Sequence, residues 1–125
     1  MNLNQVTVPS TDVLRSIAFY QKLGLRLIVH THDAYARFEC VKGEATFSVH
    51  LVPEVAACSG IVVYFELNDL DERVRALEKM DLVFDLQPVD QPWLWREAHL
   101  RDPDGNRLIL FSAGENRKNP PWRLH

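Results

Sequence analysis

The order of β-prone and helical segments repeats once along this chain, and this repeat limits the fold more than any other sequence feature. Each half begins with a β-prone run, continues with an amphipathic segment preceded by capping residues, and ends with three further β-prone runs. The first predicted helix follows capping candidates at residues 10–12 and is closed by Gly24, and the second covers residues 70–80. The predicted strands cover residues 3–8, 25–30, 35–41, 45–52, 61–67, 82–87, 94–101 and 107–112. This order predicts an α+β fold of two tandem βαβββ modules. The modules occupy residues 1–53 and 61–113, with a linker at 53–60 and a tail without regular structure at 114–125.

The length and composition fit a single globular domain. The chain has 125 residues, of which 46% are hydrophobic and 25% charged, and these fractions are typical of folded domains. Because the net charge is −3 and no basic stripe is present, no nucleic-acid partner is expected. The longest apolar run, residues 61–65, is far shorter than the roughly 20 residues needed to span a bilayer, so no membrane association is expected.

The cysteines and the N-terminal residues bear on the cellular compartment. Cys40 and Cys58 stand in no spacing typical of metal binding. The first residues lack the basic region and apolar stretch of a signal peptide. A cytoplasmic protein with reduced thiols is therefore expected.

Three motifs, in order, resemble one known group of proteins. Residues 5–8 are followed by Asp12, Ser16, the pair Phe19-Tyr20 and Leu23-Gly24-Leu25. The second motif is the strand-to-helix passage at residues 64–71, and the third is the Asp-Pro-Asp-Gly-Asn turn at residues 102–106. Together these motifs resemble the vicinal oxygen chelate superfamily, which includes glyoxalase I, extradiol dioxygenases, fosfomycin resistance proteins and bleomycin resistance proteins.

The resemblance implies both an architecture and a place for the site. In that superfamily the strands curl into a cup-shaped mixed sheet with the helices on its outer face, and the site lies inside the cup. The two modules of a cup come from one chain or from two chains of a dimer. A homodimer is expected here. Metal-dependent members carry a His, Gln or Glu ligand on the first and fourth strand of each module.

Only two of the four implied ligand positions hold a donor atom in this chain. Gln5 and His50 match the two positions of the first module, whereas Val62 and Ile109 match those of the second and have no donor atom. A catalytic zinc site generally has about three protein ligands. We therefore expect no cofactor; the alternative is one divalent metal bound at Gln5 and His50, with Glu66 as a possible additional ligand.

Strand alternation predicts which side chains line the cup. The expected lining is amphipathic, as in many sites for small organic ligands. The tryptophans at 93 and 95 are expected on one strand face as an aromatic wall or as core packing, and Arg107 either pairs with a carboxylate or phosphate or is a surface residue beside a turn. The candidate ligand-binding residues are Gln5, Thr7, Ser48, His50, Tyr64, Glu66, Trp93, Trp95, Arg107 and Phe111.

The candidate acid–base residues are His50, Glu66 and His99. Glu97 lies two positions before His99, so it would orient His99 as a general base if both side chains face the cup. The alternative is a surface pair on the outer side of the sheet. His50 is equally consistent with a polar residue that lines a cavity.

Four functional hypotheses follow. The first is a metal-free small-molecule-binding protein of the glyoxalase and bleomycin-resistance type, with an aromatic or amphipathic ligand. The second is a divalent-metal-dependent lyase, isomerase or dioxygenase that uses Gln5 and His50. The third is a metal-free acid–base enzyme, and the fourth is a structural or regulatory module whose cup is filled by its own side chains.

Overall fold

The structure is a computed structural model that describes residues 1–56 and 59–124. Two α-helices, α1 (Val13–Leu23) and α2 (Leu70–Glu78), and a short 3₁₀ helix (Gly114–Arg117) accompany eight strands. The strands are β1 (Gln5–Ser10), β2 (Arg26–Thr31), β3 (Tyr35–Glu39), β4 (Thr46–Leu51), β5 (Val62–Glu66), β6 (Phe84–Asp90), β7 (Arg96–Arg101) and β8 (Arg107–Ser112). The fold is α+β, with the predicted order βαβββ in each half. Cys58 lies outside the described residues.

Each half builds a mixed four-stranded sheet. The strand orders are β1-β4-β3-β2 and β5-β8-β7-β6. In each sheet the first pair is parallel and the other two pairs are antiparallel. The chain divides into a first unit of residues 1–60 and 102–106 and a second unit of residues 61–101 and 107–125.

Helix α1 covers one face of the first sheet. Asp12 caps its N-terminus by accepting from the Arg15 N–H, and Gly24 ends it in the left-handed conformation that glycine adopts at little cost. Tyr20, which is fully buried, packs against the rings of Phe38 and Phe47 at centroid distances of 5.8 Å and 4.7 Å. The opposite face, called the open face of the first sheet, carries Gln5, Thr7, Tyr35, Arg37, Glu39, Thr46, Ser48 and His50.

Helix α2 lies on one face of the second sheet. Its buried residues are Leu70, Val74 and Leu77, and Arg96 of β7 reaches Asp71 of the helix at 3.0 Å. Because side chains alternate along a strand, Glu97, His99 and Arg101 point to the opposite face from Arg96, away from α2. This open face of the second sheet carries Val62, Tyr64, Glu66, Glu97, His99, Arg101, Arg107, Ile109 and Phe111.

Two strands run through a proline that was expected to end them or to lie beyond them. Strand β1 continues past Pro9 to Ser10, and β6 includes Pro88. Both strands lie at sheet edges, where a missing N–H breaks no ladder hydrogen bond if it faces outward. The carbonyl of Asn4, just before β1, accepts from the Thr46 N–H, and that of Ser10 accepts from the Val52 N–H just after β4. The backbone of the alternate residue Pro9 therefore points away from β4.

Two further expectations differ from the structure. The strand predicted from residue 94 begins at Arg96, because residues 91–95 form a turn in which Leu94 has a φ of 67°. The tail contains the 3₁₀ helix Gly114–Arg117, although it was predicted to have no regular structure. Among the described residues, no helix has both the length and the apolar character needed to cross a membrane.

Candidate functional site

Three aromatic side chains form a cluster on the open face of the second sheet. The Trp95 ring stacks on Phe111 with centroids 4.5 Å apart and an interplanar angle of 15°. Tyr64 meets both rings edge-on, at 5.9 Å from Trp95 and 5.7 Å from Phe111. Offset stacked and edge-to-face arrangements are the favourable geometries of aromatic pairs.

The members of this cluster differ in their exposure to solvent. Phe111 is only 3% exposed, whereas Tyr64 is 48% exposed and Trp95 is half-buried. Phe111 therefore supports Trp95 from below, and the surface offered to a ligand is that of Tyr64 and Trp95. Trp95 covers the Phe111 ring, and the direct contact of Phe111 with a ligand stays a prediction.

Trp93 reaches the same face from the turn before β7. Its indole Nε1–H donates to Glu97 Oε2 at 2.7 Å, and its ring is 45% exposed. The two tryptophans thus both contact open-face residues, although they stand in a turn and not on the predicted strand. We call Tyr64, Trp93 and Trp95 the aromatic platform.

Glu97 and His99 form a hydrogen-bonded pair beside this platform. Register places Glu97 opposite Phe111 and His99 opposite Ile109, so both face away from α2. Glu97 is 2% exposed, and its Oε1 lies 2.8 Å from His99 Nε2. The arrangement on the outer side of the sheet is thereby excluded, and a carboxylate orients the imidazole through one ring nitrogen.

A shallow recess lies at the end of the open face nearest the 102–106 turn. It is bounded by Asp85, His99, Arg101, Arg107 and Ile109, together with Leu100 and Leu108. Arg101 and Arg107 are directly opposite each other on β7 and β8. Asp85 Oδ2 lies 3.4 Å from Arg101 Nε.

Glu66, a predicted acid–base candidate, is engaged by the tail. Its Oε1 lies 3.4 Å from Arg117 Nε, and both side chains are partly exposed. Asn116, in the same 3₁₀ helix, accepts a hydrogen bond from the Trp95 indole at 3.3 Å. The tail helix therefore contacts Glu66 through Arg117 and the aromatic cluster through Trp95.

The predicted residues of the first unit lie on the open face of the first sheet. Thr7 Oγ1 and Ser48 Oγ are 2.6 Å apart, and Ser48 is fully buried. Gln5 Oε1 accepts from Thr46 Oγ1 at 2.8 Å. His50 is exposed.

Tyr35 and Arg37 share this face, and neither was among the residues predicted to line the site. Arg37 Nε donates to the Tyr35 hydroxyl at 2.9 Å. The pKa of Tyr35 is lowered chiefly by a hydrogen bond with Ser48, and further by Arg37 and Gln5, against a smaller opposing effect of burial. Extending the alternation of β4 to its partner β3 would have placed both residues on this face.

The comparisons with known proteins bear on the family. The model of the Glyoxalase/Bleomycin resistance protein/Dioxygenase superfamily matches residues 2–110. The chain belongs to this superfamily. No curated protein matches the chain significantly.

Several solved structures share the fold at low identity. A glyoxalase/bleomycin resistance protein/dioxygenase from Nocardioides is 21% identical with a TM-score of 0.78, over 100% of this chain and 90% of that chain. A lactoylglutathione lyase from Agrobacterium tumefaciens is 17% identical with a TM-score of 0.73, over 89% and 92%. A bleomycin-binding protein, solved as a complex with bleomycin, is 22% identical with a TM-score of 0.71, over 90% and 98%.

The superfamily resemblance implied a metal ion bound at Gln5 and His50, and the positions of these two residues do not suit a shared ion. Gln5 pairs with Thr46, whereas His50 pairs with Pro9. The two candidate ligands are therefore four residues, or about 13 Å, apart along parallel strands, too far to share one ion. In the described part of the chain, no three His, Cys, Asp or Glu side chains are grouped as a metal site. The donor set does not fit a shared catalytic metal.

Proposed function

We propose that this superfamily member binds a small organic ligand with a planar apolar part, without a catalytic metal. The observation that carries the proposal is the aromatic platform of Tyr64, Trp93 and Trp95 on the open face of the second sheet. Partly exposed aromatic rings next to a few fixed polar groups are typical of sites for such ligands. Here the fixed polar groups are Glu97 and His99.

The solved relatives are compatible with this proposal. The bleomycin-binding protein shares the fold and was solved with its ligand, so the scaffold supports ligand binding in at least one other protein. The homodimer and the cytoplasmic location expected above belong to the same proposal.

Binding of naphthyl probes tests the proposal. Isothermal titration calorimetry with 2-naphthamide and 2-naphthoate should detect saturable binding of at least one probe. Trp95→Leu should weaken binding about five-fold, since an aromatic contact contributes about 1 kcal/mol beyond its buried area. Trp122→Leu, which changes an exposed tail tryptophan, is the matched control and should leave affinity unchanged. Absence of binding by both probes, or equal losses in the two variants, would count against the proposal.

Elemental analysis tests the metal-free part separately. Protein purified without a histidine tag should contain metal only at background level, and probe affinity should not change after treatment with a chelator. One stoichiometric zinc, nickel, manganese or iron that is lost in His50→Ala would instead support the metal-dependent lyase, isomerase or dioxygenase.

The Glu97–His99 pair favours a second candidate function, that of a metal-free acid–base enzyme. The Nε2–Oε1 distance of 2.8 Å and the burial of Glu97 match the usual arrangement of an oriented general base. In this case a bound ligand would be recovered chemically changed, and His99→Asn would abolish the change even at ligand concentrations that saturate the variant. A ligand recovered intact supports the binding function.

A further inference from the structure

We propose that the recess formed by His99, Arg101 and Arg107 binds the oxyanion, carboxylate or phosphate, of the ligand whose aromatic part rests on the platform. This inference rests on the proposed binding function and assigns the ligand a chemical class, that of an aromatic anion. Two features of the second unit carry it: the placement of the two arginines, and the continuity of the recess with the platform.

The two arginines face each other without enough negative charge to balance them. Arg101 and Arg107 are cross-strand neighbours on the same face, and like charges in that position destabilise a sheet. Within the described part of the chain, Asp85 is the only carboxylate in ion-pair contact with either guanidinium, and it contacts Arg101. One positive charge is left over, and an oxyanion between the guanidinium groups would balance it with hydrogen bonds of favourable geometry.

Among the described residues, the buried carboxylate of Glu97 makes no ion pair with either arginine. Glu97 accepts from Trp93 through Oε2 and from His99 through Oε1, so each of its oxygens already has a donor on the open face. Since a carboxylate accepts, His99 donates through Nε2, and the Nδ1 of the neutral ring is an acceptor. The donors for an oxyanion in the recess are therefore the guanidinium groups of Arg101 and Arg107.

The recess and the platform lie on one continuous surface. Ile109 borders the recess and belongs to the apolar cluster that contains Phe111 and Trp95. Arg107, Ile109 and Phe111 are alternate residues of β8, so about 13 Å of strand separates the first from the last. A ligand with a ring system and an anionic group at its end would contact both.

Three probes with one ring system test the inference: 2-naphthoate, the neutral 2-naphthamide and 2-naphthyl phosphate. On the intact chain, calorimetry should give an affinity for the naphthoate about five-fold higher than for the amide, as expected for a partly exposed charge pair. Added salt should reduce the affinity of the naphthoate and leave that of the amide nearly unchanged. If 2-naphthyl phosphate binds more tightly than 2-naphthoate, the recess is assigned to phosphate esters. If the naphthoate binds more tightly, the recess is assigned to carboxylates.

Two variants should change the naphthoate affinity in opposite directions, and misfolding alone would not produce that result. Arg107→Ala should remove the preference for naphthoate over naphthamide. Asp85→Asn should raise naphthoate affinity about two-fold, because the oxyanion no longer competes with an exposed carboxylate for Arg101. Arg73→Ala, which removes an exposed arginine from α2, is the control for net charge and should preserve the preference.

The outcomes separate this inference from the proposed function. Equal affinities for naphthoate and naphthamide would overturn the anion site and leave the aromatic binding function standing. Loss of the preference in Arg73→Ala as well as Arg107→Ala would also overturn it, since net charge would then explain the effect. Absence of binding by all three probes would overturn the proposed function itself.

Discussion

Glu97 is a carboxylate with almost no contact with solvent, and its two partners determine what the neighbouring residues can do. A buried carboxylate is costly unless its oxygens are hydrogen-bonded. Trp93 satisfies one oxygen and His99 the other. The same two bonds fix the orientation of one tryptophan of the platform and of the imidazole that lines the recess.

Replacing Glu97 by Gln should reverse the proton position on His99. The indole is a donor only, so it must pair with the Gln carbonyl, and the Gln NH₂ group is then turned toward His99. His99 has to accept through Nε2, and its proton moves to Nδ1. We expect a loss of about 1 kcal/mol in the free energy of unfolding and exchanged ¹⁵N shifts of the two ring nitrogens of neutral His99. Unchanged shifts would contradict this account, and exposed His50 is the internal control.

Tyr35 gives a pH-dependent test in the first unit. Because a hydrogen bond with Ser48 is the largest cause of its lowered pKa, Ser48→Ala should raise that pKa toward the ordinary value. The lowered folded-state pKa stabilises the fold fully above the unfolded-state pKa, and this stabilisation is lost as pH falls through the folded-state pKa. NMR titration of the Tyr35 ring carbon measures the shift. Ser112→Ala, in the second unit, should leave it unchanged; an equal shift there would contradict the assignment.

Among the connecting elements, the turn at residues 102–106 between β7 and β8 is held in place by its own two carboxylates, those of Asp102 and Asp104. Asp102 accepts from the Tyr20 hydroxyl at 2.6 Å and from the backbone N–H groups of Asp104 and Asn106. Burial, followed by the charge of Asp102, raises the pKa of Tyr20. Gly105 has a φ of 84°, which glycine adopts without strain. These hydrogen bonds hold the 102–106 turn in one conformation, so its role is structural.

Asp104→Asn should lower the free energy of unfolding, because it weakens the hydrogen bonds of this turn. The Asp104 side chain is 2% exposed and accepts from the Thr11 N–H at 2.9 Å, the Thr11 hydroxyl at 2.8 Å and Arg15 at 3.0 Å. Burial alone would raise its pKa, but the hydrogen bonds of Thr11 and Ser10 and the charge of Arg15 outweigh it and lower the pKa. We expect a loss of about 1–3 kcal/mol at neutral pH by urea denaturation.

The pH dependence of that loss identifies its cause. A lowered folded-state pKa contributes stability above the unfolded-state value, and this contribution disappears as pH falls through the folded-state pKa. The difference between wild type and Asp104→Asn should therefore shrink in acid. Glu44→Gln, at an exposed turn residue, should cost little at any pH. A difference that does not vary with pH would point to packing and against the carboxylate charge.

Strand alternation predicted one side of the second sheet well. Tyr64 and Glu66 share a face with Ile109 and Phe111, as expected, because the parallel β5–β8 pair has no register shift. The sequence pattern gave wrong strand bounds where those bounds depend on residues far away in the sequence. That Pro9 stands inside a strand follows from the edge position of β1, and the turn at Trp93 follows from a positive φ at Leu94. A local pattern contains neither fact.

Burial within the candidate site was also beyond the sequence. Ser48 and Phe111 were expected to touch a ligand, but both are covered by protein side chains. Conversely, Glu97 was considered only as a partner of His99, and its burial under Trp93 depends on the turn before β7. Alternation gives the face of a residue, but the neighbouring side chains decide whether it reaches the surface.

At the scale of the whole molecule, the net charge of the chain is opposite in sign to the charge of the recess. The chain carries a net charge of −3, yet the recess of the second unit contains two arginines and one aspartate. Local potential, and not net charge, selects a bound ion. The aromatic platform and the recess both belong to the second unit, so this unit supplies every residue that the proposed ligand requires.

The most direct test of ligand binding on the platform is an NMR titration of the three indole N–H resonances with 2-naphthoate. The account predicts that the Trp93 and Trp95 resonances shift with one saturation curve, while Trp122 in the tail stays unchanged. Shifts confined to Trp122, or no shift at Trp93 and Trp95 up to saturating probe, would contradict it.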